Sequence, residues 1–359
     1  PITIRDLYQH TPGMSDVGGF TTTDEAALVY HAEWTRANIP ARVQPPGAEI
    51  AYSNWGTSLA GYIVEHLTGE PFADYVERHI FGPLGMTSST FREPLPEGLI
   101  DRIAIGADYT DGRFTARTFD YYSMVMPAGS ATVSGPDMAR FMMAMLNGGE
   151  LDGARILSEE SVALLGTNSI ANAPSLPGMA HGYLVYREEG PRLIGHAGAM
   201  RDFRSNMILS PETGTGVFLS IVAAPAGRPA QGELSSAITG RLFPQPPAPR
   251  WSEAAEAAQF AGRYLVNRRD YSSEPHPMMY AVVNAVGGNA ITITALGQTF
   301  YFEQIGPGLF EQVTGAREGG PFDRVEFYGP AEARRLAFAS QPFMNWHYAG
   351  PAEDAAAEE

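Results

Sequence analysis

The 359-residue chain contains no cysteine, and none of its 24 basic residues is lysine. The missing cysteine excludes disulfides, thiolate nucleophiles and cysteine-ligated zinc or iron–sulfur centres. It does not select a compartment, because a cysteine-free chain suits cytoplasm and periplasm equally. The missing lysine excludes a P-loop, a Schiff-base amine and a Ser-x-x-Lys nucleophile pair within these residues. Codon bias is its simplest origin, since Ala, Gly, Pro and Arg are all abundant. The chemical consequence holds whatever the origin. Positive charge is also scarce: 40 acidic against 24 basic residues give a formal net charge of −16. That balance argues against nucleic-acid binding, which needs a basic stripe. No stretch approaches the roughly 20 apolar residues of a membrane span, the run from Gly216 to Ala226 being about the longest. There is no signal-peptide pattern. The chain starts at Pro1, and Ile2-Thr3-Ile4-Arg5-Asp6-Leu7 reads as the middle of a folded element, so a processed, trimmed or partial chain is expected.

What is present is globular in character, with 44% hydrophobic and 18% charged residues. The length allows two domains with real cores. Residues 1–243 mix helices and strands. Asn54 to Leu67 is amphipathic, with Leu59, Tyr62, Ile63 and Leu67 on one face and Gly69 as its stop. A second helix is expected from Pro71 to Ile80. A third has Ser134 as N-cap, Pro136 and Asp137 in its first turn, and Met138, Phe141, Met142 and Met145 as its stripe. That methionine stripe reads as core packing. Short strands follow at Gly182–Glu188, Arg192–Ala199, Phe203–Leu209 and Gly216–Ala223, the last two joined by a hairpin turn at Pro211-Glu212-Thr213-Gly214. Glu233–Phe243 reads as a closing helix. Residues 244–250 form a Pro-rich linker. Beyond it seven β-rich segments, separated by Gly-containing turns, indicate an antiparallel barrel or sandwich over 251–350, with an acidic tail at 351–359.

Two short segments carry possible chemistry. In Tyr52-Ser53-Asn54, extended-chain alternation points Tyr52 and Asn54 the same way and Ser53 away. A phenol beside an amide suits proton transfer and substrate positioning. Taken alone, the segment reads more simply as Asn54 capping the following helix and Tyr52 packing as an aromatic. The second segment is Gly195-His196-Ala197-Gly198-Ala199 on a predicted strand, where glycine often marks close approach by a ligand or another backbone. Taken alone, it reads as a bulged edge strand with an exposed histidine. The other histidines show no metal-ligand spacing. Neither a His-Glu-x-x-His nor a G-x-S-x-G pattern occurs.

Five segments in order resemble serine hydrolases of the β-lactamase and penicillin-binding-protein superfamily, in its class C-like branch. They are Ile2 to Gly13, Tyr52-Ser53-Asn54-Trp55-Gly56, Ile80 to Met86, Asp137 to Phe141, and Gly195 to Gly198. The resemblance covers residues 1–243. The region after the linker resembles the lipocalin-like β domain that some members append. The fold implied is α+β: a β-lactamase-like antiparallel sheet with a helical subdomain, N-terminally incomplete, followed by the small barrel or sandwich. The roles implied are as follows. Tyr52 matches the tyrosine of the family's Tyr-x-Asn motif, which shuttles the nucleophile's proton. Asn54 matches the asparagine that positions substrate and the catalytic lysine. His196 stands at the first position of the Lys-Thr-Gly motif. Gly198 matches its glycine, against which substrate lies. Ala199 matches the position whose N–H forms half of the oxyanion hole. Ala197 departs from the family threonine, which tilts the expectation from β-lactams towards ester or peptide substrates.

The family's Ser-x-x-Lys cannot occur here, so the nucleophile is expected upstream of this chain. The leading expectation is therefore a parent serine hydrolase acting through an acyl-enzyme on an ester, amide or peptide bond, with no metal or organic cofactor. Its implied partner is a small-molecule or peptide substrate, and its implied location is the periplasm or cell envelope. The alternative is a catalytically dead binding or regulatory module, motivated by the absent dyad and by β-region aromatics such as Phe300, Phe302, Phe310 and Phe327.

Overall fold

Local capping signals start the principal helices, and tertiary packing decides which of their faces is buried. A computed structural model describes residues 1–167, 170–222, 230–244, 251, 257–295, 297–313 and 324–352. Most of the linker, from 245 to 250, and the tail from 353 lie outside the described residues.

Helix α1 spans Ile4–Tyr8 and is capped by Thr3. Helix α2 spans His31–Ala37. Helix α3 spans Asn54–Thr68 and ends at Gly69, whose φ of 74° suits glycine. Its N-cap is Ser53, which accepts the Gly56 N–H at 3.0 Å. Asn54 is thus the first helical residue rather than the cap. The expected apolar stripe of α3 also needs correction. Leu67 is 75% exposed, while Trp55, Gly56, Ser58 and Gly61 form the buried face. Small residues win there because a neighbouring segment lies close: a side chain at Gly61 would run into the Pro127 ring. The second expected helix is α-helical only over Phe72–Val76 and continues as a π-helical turn over Glu77–Phe81.

Helix α4 spans Gly135–Leu146, with Ser134 accepting the Asp137 N–H. Its Met142 and Met145 pack on the sheet with Val185, Ile194, Met207 and Leu209. The sheet comprises β1 (Leu184–Arg187), β2 (Leu193–Ala199), β3 (Phe203–Ser210) and β4 (Thr215–Val222), in that order and all antiparallel. Helix α5 (Ala230–Leu242) follows.

The second half forms a closed eight-stranded barrel. Its strands are β5 (Gly262–Val266), β6 (Tyr280–Ala285), β7 (Ala290–Ala295), β8 (Gln298–Gly306), β9 (Leu309–Gln312), β10 (Arg324–Tyr328), β11 (Arg335–Phe338) and β12 (Trp346–Gly350). Strand β12, absent from the sequence expectation, closes the ring by pairing with β5 and β11. Tyr264, Ile291, Ile293, Phe302, Phe310, Leu336 and Phe338 fill the interior. This is the packed form expected of an eight-stranded barrel. The aromatics read as a possible ligand surface are largely this interior: Phe300, Phe302, Phe310 and Phe327 all belong to its core cluster.

The barrel grips the first half through polar contacts. Asn267 donates to the Ile50 carbonyl at 2.9 Å. Glu49 receives His347 at 2.8 Å, Asn345 at 3.2 Å and Arg335 at 3.3 Å. Ser175 donates through N–H and hydroxyl to Glu326 at 2.8 and 3.0 Å.

Candidate active site

The site is assembled from three segments. The turn after α1 delivers His10, buried and with a φ of 55°. The strand-like lead into α3 delivers Tyr52, and β2 delivers His196 to Ala199. Two backbone bonds fix Tyr52 and its neighbour: Tyr52 N–H donates to Phe343 O at 2.9 Å, and Ser53 N–H donates to His10 Nδ1 at 3.2 Å. Ser53 turns inward to cap α3 while Tyr52 and Asn54 both line one cleft, matching the alternation expected of the segment. That cleft has a volume of about 1450 Å³, and His196, Ala197, Gly198 and Ala199 also line it. The structure thus brings all five sequence-predicted residues to one cavity. A smaller hollow of about 190 Å³ on the barrel, beside Leu265 and Tyr348, contains none of them.

The strand supplies backbone as well as side chains. Met200 N–H donates to Phe203 O at 2.9 Å, which makes 200 and 203 a hydrogen-bonded pair. Ala199 pairs with Arg204 one step on. By the alternation of antiparallel ladders, Ala199 therefore turns its N–H away from β3. On that other side β1 begins only at Leu184, which pairs with Gly195. The Ala199 N–H is consequently beyond the reach of β1 and open to the cleft. Gly195 and Gly198 differ in meaning. A side chain at Gly195 would overlap the Met207 carbonyl, so this glycine serves strand packing. At Gly198 a Cβ would meet the Ser205 side chain, its hydroxyl at 2.5 Å.

Two histidine rings lie near Tyr52, both tilted to it. His10 lies 4.0 Å from Tyr52 between centroids, and His196 lies 6.0 Å from Tyr52 on its own approach. Burial pushes the Tyr52 phenol up, Arg268 pulls it back, and Asp16 pushes it up again. Burial pushes His10 down to about 3, helped by the nearness of His196 and the charge of Arg268. Burial also lowers His196, against a bond to the Ala197 carbonyl. That bond, 2.8 Å from Nδ1, requires Nδ1 to carry the proton because a carbonyl oxygen only accepts. Nε2 is then the basic nitrogen of a neutral imidazole. No group of three or more His, Asp or Glu side chains suited to a metal occurs among the described residues.

Sequence reasoning missed three residues here: His10, Arg268 and Phe343. His10 lay in a quoted motif, His10-Thr11-Pro12-Gly13, without a role. Arg268 and Phe343 come from the barrel and carry no local signal. Phe343 packs edge-on to Tyr52 at 5.9 Å, and the Arg268 guanidinium lies 4.8 Å over the Tyr52 ring.

A family model described as Beta-lactamase matches residues 1–233. The chain belongs to the beta-lactamase family. "Penicillin-binding protein 4" of Amycolatopsis lactamdurans is 29% identical over 284 residues, covering 73% of this chain and 71% of that protein. "Putative D-alanyl-D-alanine carboxypeptidase" of Escherichia coli O157:H7 is 29% identical over 194 residues, covering 47% of this chain and 44% of that protein. The chain therefore spans under half the length of the second relative. The solved structure titled "Crystal structure of SurE" shares the fold at a TM-score of 0.64 and 20% identity, covering 97% of this chain and 78% of that one. For this beta-lactamase-family chain the similarity reaches through the barrel, which fits a lipocalin-like domain.

Proposed function

We propose that the protein to which this chain belongs is a serine hydrolase that cleaves an ester, amide or peptide bond through an acyl-enzyme. The observation that carries the reading is the meeting of Tyr52 and Asn54 with the His196–Ala199 strand around one cleft. Tyr52 carries the proton between nucleophile and leaving group, and the open Ala199 N–H supplies half of the oxyanion hole. Asn54 and Gly198 position the substrate, and His196 takes the place of the motif's lysine. The Ser-x-x-Lys pair is not among these residues, since they include no lysine. We assign the nucleophile to sequence outside them. Ala197 offers no hydroxyl to a substrate carboxylate, which favours ester or peptide substrates over β-lactams. Residues 1–243 would form the hydrolase domain and 251–350 the barrel domain, with an envelope location by analogy to the relatives.

The test is the product of the complete coding sequence. It should hydrolyse p-nitrophenyl acetate and label with a fluorophosphonate or penicillin probe. Failure of both would leave the dead-module reading, which rests on the absent lysine. Tyr52→Phe in that protein should lower turnover by about 10²–10⁴-fold without unfolding it. Unchanged turnover removes Tyr52 from the mechanism.

A further inference from the structure

We propose that Arg268, carried by the barrel, is a positioning residue that supplies the positive charge stabilising the Tyr52 phenolate. The inference takes its meaning from Tyr52 as proton carrier, while its test needs no turnover.

A tyrosine that must accept a proton needs a cation beside it, because burial alone opposes the phenolate. These 359 residues hold no lysine, so within them the cation must be a histidine or an arginine, whatever a Ser-x-x-Lys pair outside them adds. The histidines near Tyr52 do not fill the gap: burial lowers both His10 and His196, and His10 uses its Nδ1 lone pair to accept the Ser53 N–H. Arg268 does fill it, with its Cζ 4.8 Å from the Tyr52 ring centroid. Arginine keeps its charge at every pH of interest.

The placement is built, not incidental. Arg268 lies two residues after β5, and the next residues are laced to the first half of the chain. Asp16 N–H donates to Arg269 O at 2.9 Å, and Tyr271 N–H donates to Ser15 Oγ at 3.0 Å. Asp16 then pairs with Arg268 Nε at 3.2 Å. Burial raises Asp16 despite this pairing, and Asp270 adds to the rise. The charged and titratable groups facing Tyr52 are therefore Arg268, Asp16, His10 and His196, and the first two act on the phenol in opposite directions. Docking of the barrel is what completes this electrostatic setting.

The opposition gives a test that separates charge from architecture. The 359-residue chain is prepared with 3,5-difluorotyrosine at position 52, a residue whose phenol ionises near neutrality, and its titration is followed by ¹⁹F NMR. Arg268→Met should raise the apparent pKa by about one unit or more, and Arg268→Lys should restore most of the shift. Asp16→Asn should lower it. Both Arg268→Met and Asp16→Asn break the same ion pair, so a purely structural role would move the two in the same direction. Movement in one direction, or none in either, overturns the proposal. If Arg268→Met does not fold, Asp16→Asn decides alone: a fall supports the proposal, and no change or a rise refutes it. A null result here leaves the hydrolase reading to its own assay.

Discussion

Glu49→Gln tests how the barrel is held against the hydrolase half. Glu49 is 7% exposed. Its carboxylate meets three barrel residues: His347, Asn345 and Arg335. Burial pushes the carboxyl up, but the His347 bond and the charges of His347 and Arg335, with the Asn345 bond, hold it below its ordinary value. A hydrogen bond to a charged group contributes about 1.5–3 kcal/mol net. Arg335 and His347 are 39% and 34% exposed, so solvent screens their share. A glutamine keeps the shape and one acceptor, which sets the expected loss near 2 kcal/mol at pH 7. The pH dependence has a definite sign. A depressed carboxyl contributes stability above its unfolded value of about 4.5, and that stability is lost as pH falls through the lower folded value. The gap between parent and Glu49→Gln should therefore be full at pH 7, begin to shrink near pH 4.5 and close only as pH falls below the lower folded value. Urea unfolding followed by tryptophan fluorescence reads it, with Trp346 beside the cluster. An equal gap at pH 7 and pH 3.5, or no gap at pH 7, would refute the reasoning.

Two further outcomes follow from buried groups elsewhere. Glu93 lines the cleft and is pushed up to about 7 by burial, against hydrogen bonds from Tyr122, Ser130 and Ser123. Its stabilising protonated form is fully present below about pH 4.5 and is lost as pH rises through 7, so Glu93→Gln should remove a decline on the order of 3 kcal/mol. Thermal melts across pH 5–8 check this, and parallel curves would count against it. Gly61→Ala forces a methyl group onto Pro127 between α3 and the 126–129 turn. It should cost about 1–3 kcal/mol, and a melting temperature equal to the parent's would show that the contact yields freely.

The legible parts of the fold were those written in local sequence. Ser134, Pro136 and the methionine spacing announced α4, and its buried Met142 and Met145 lie on the sheet as the period required. The hairpin at 211–214 appeared in place between β3 and β4. Boundaries governed by distant packing were less visible. The α3 stripe held at Leu59, which packs beside Trp34 and Trp55, but missed at Leu67, and it did not foresee that Gly56, Ser58 and Gly61 are buried, a demand for close approach that hydrophobicity does not record. Strand β12 went unseen because its residues after Trp346 are half-buried or exposed, leaving little alternation to read.

The candidate site divides along the same line. Sequence by itself determined that no Ser-x-x-Lys lies in this chain, because residue identity suffices for that, and its resemblance to the family, carried by short motifs in order, singled out Tyr52, Asn54, His196, Gly198 and Ala199. Only tertiary structure decided that these residues share a cleft, that the Ala199 N–H faces it, and that His10 and Arg268 flank Tyr52. Tyr52 and Arg268 are far apart in sequence, and their meeting depends on a barrel closed by β12 and docked through Glu49. Charge acts through space, so the environment of the tyrosine belongs to the fold and not to its motif.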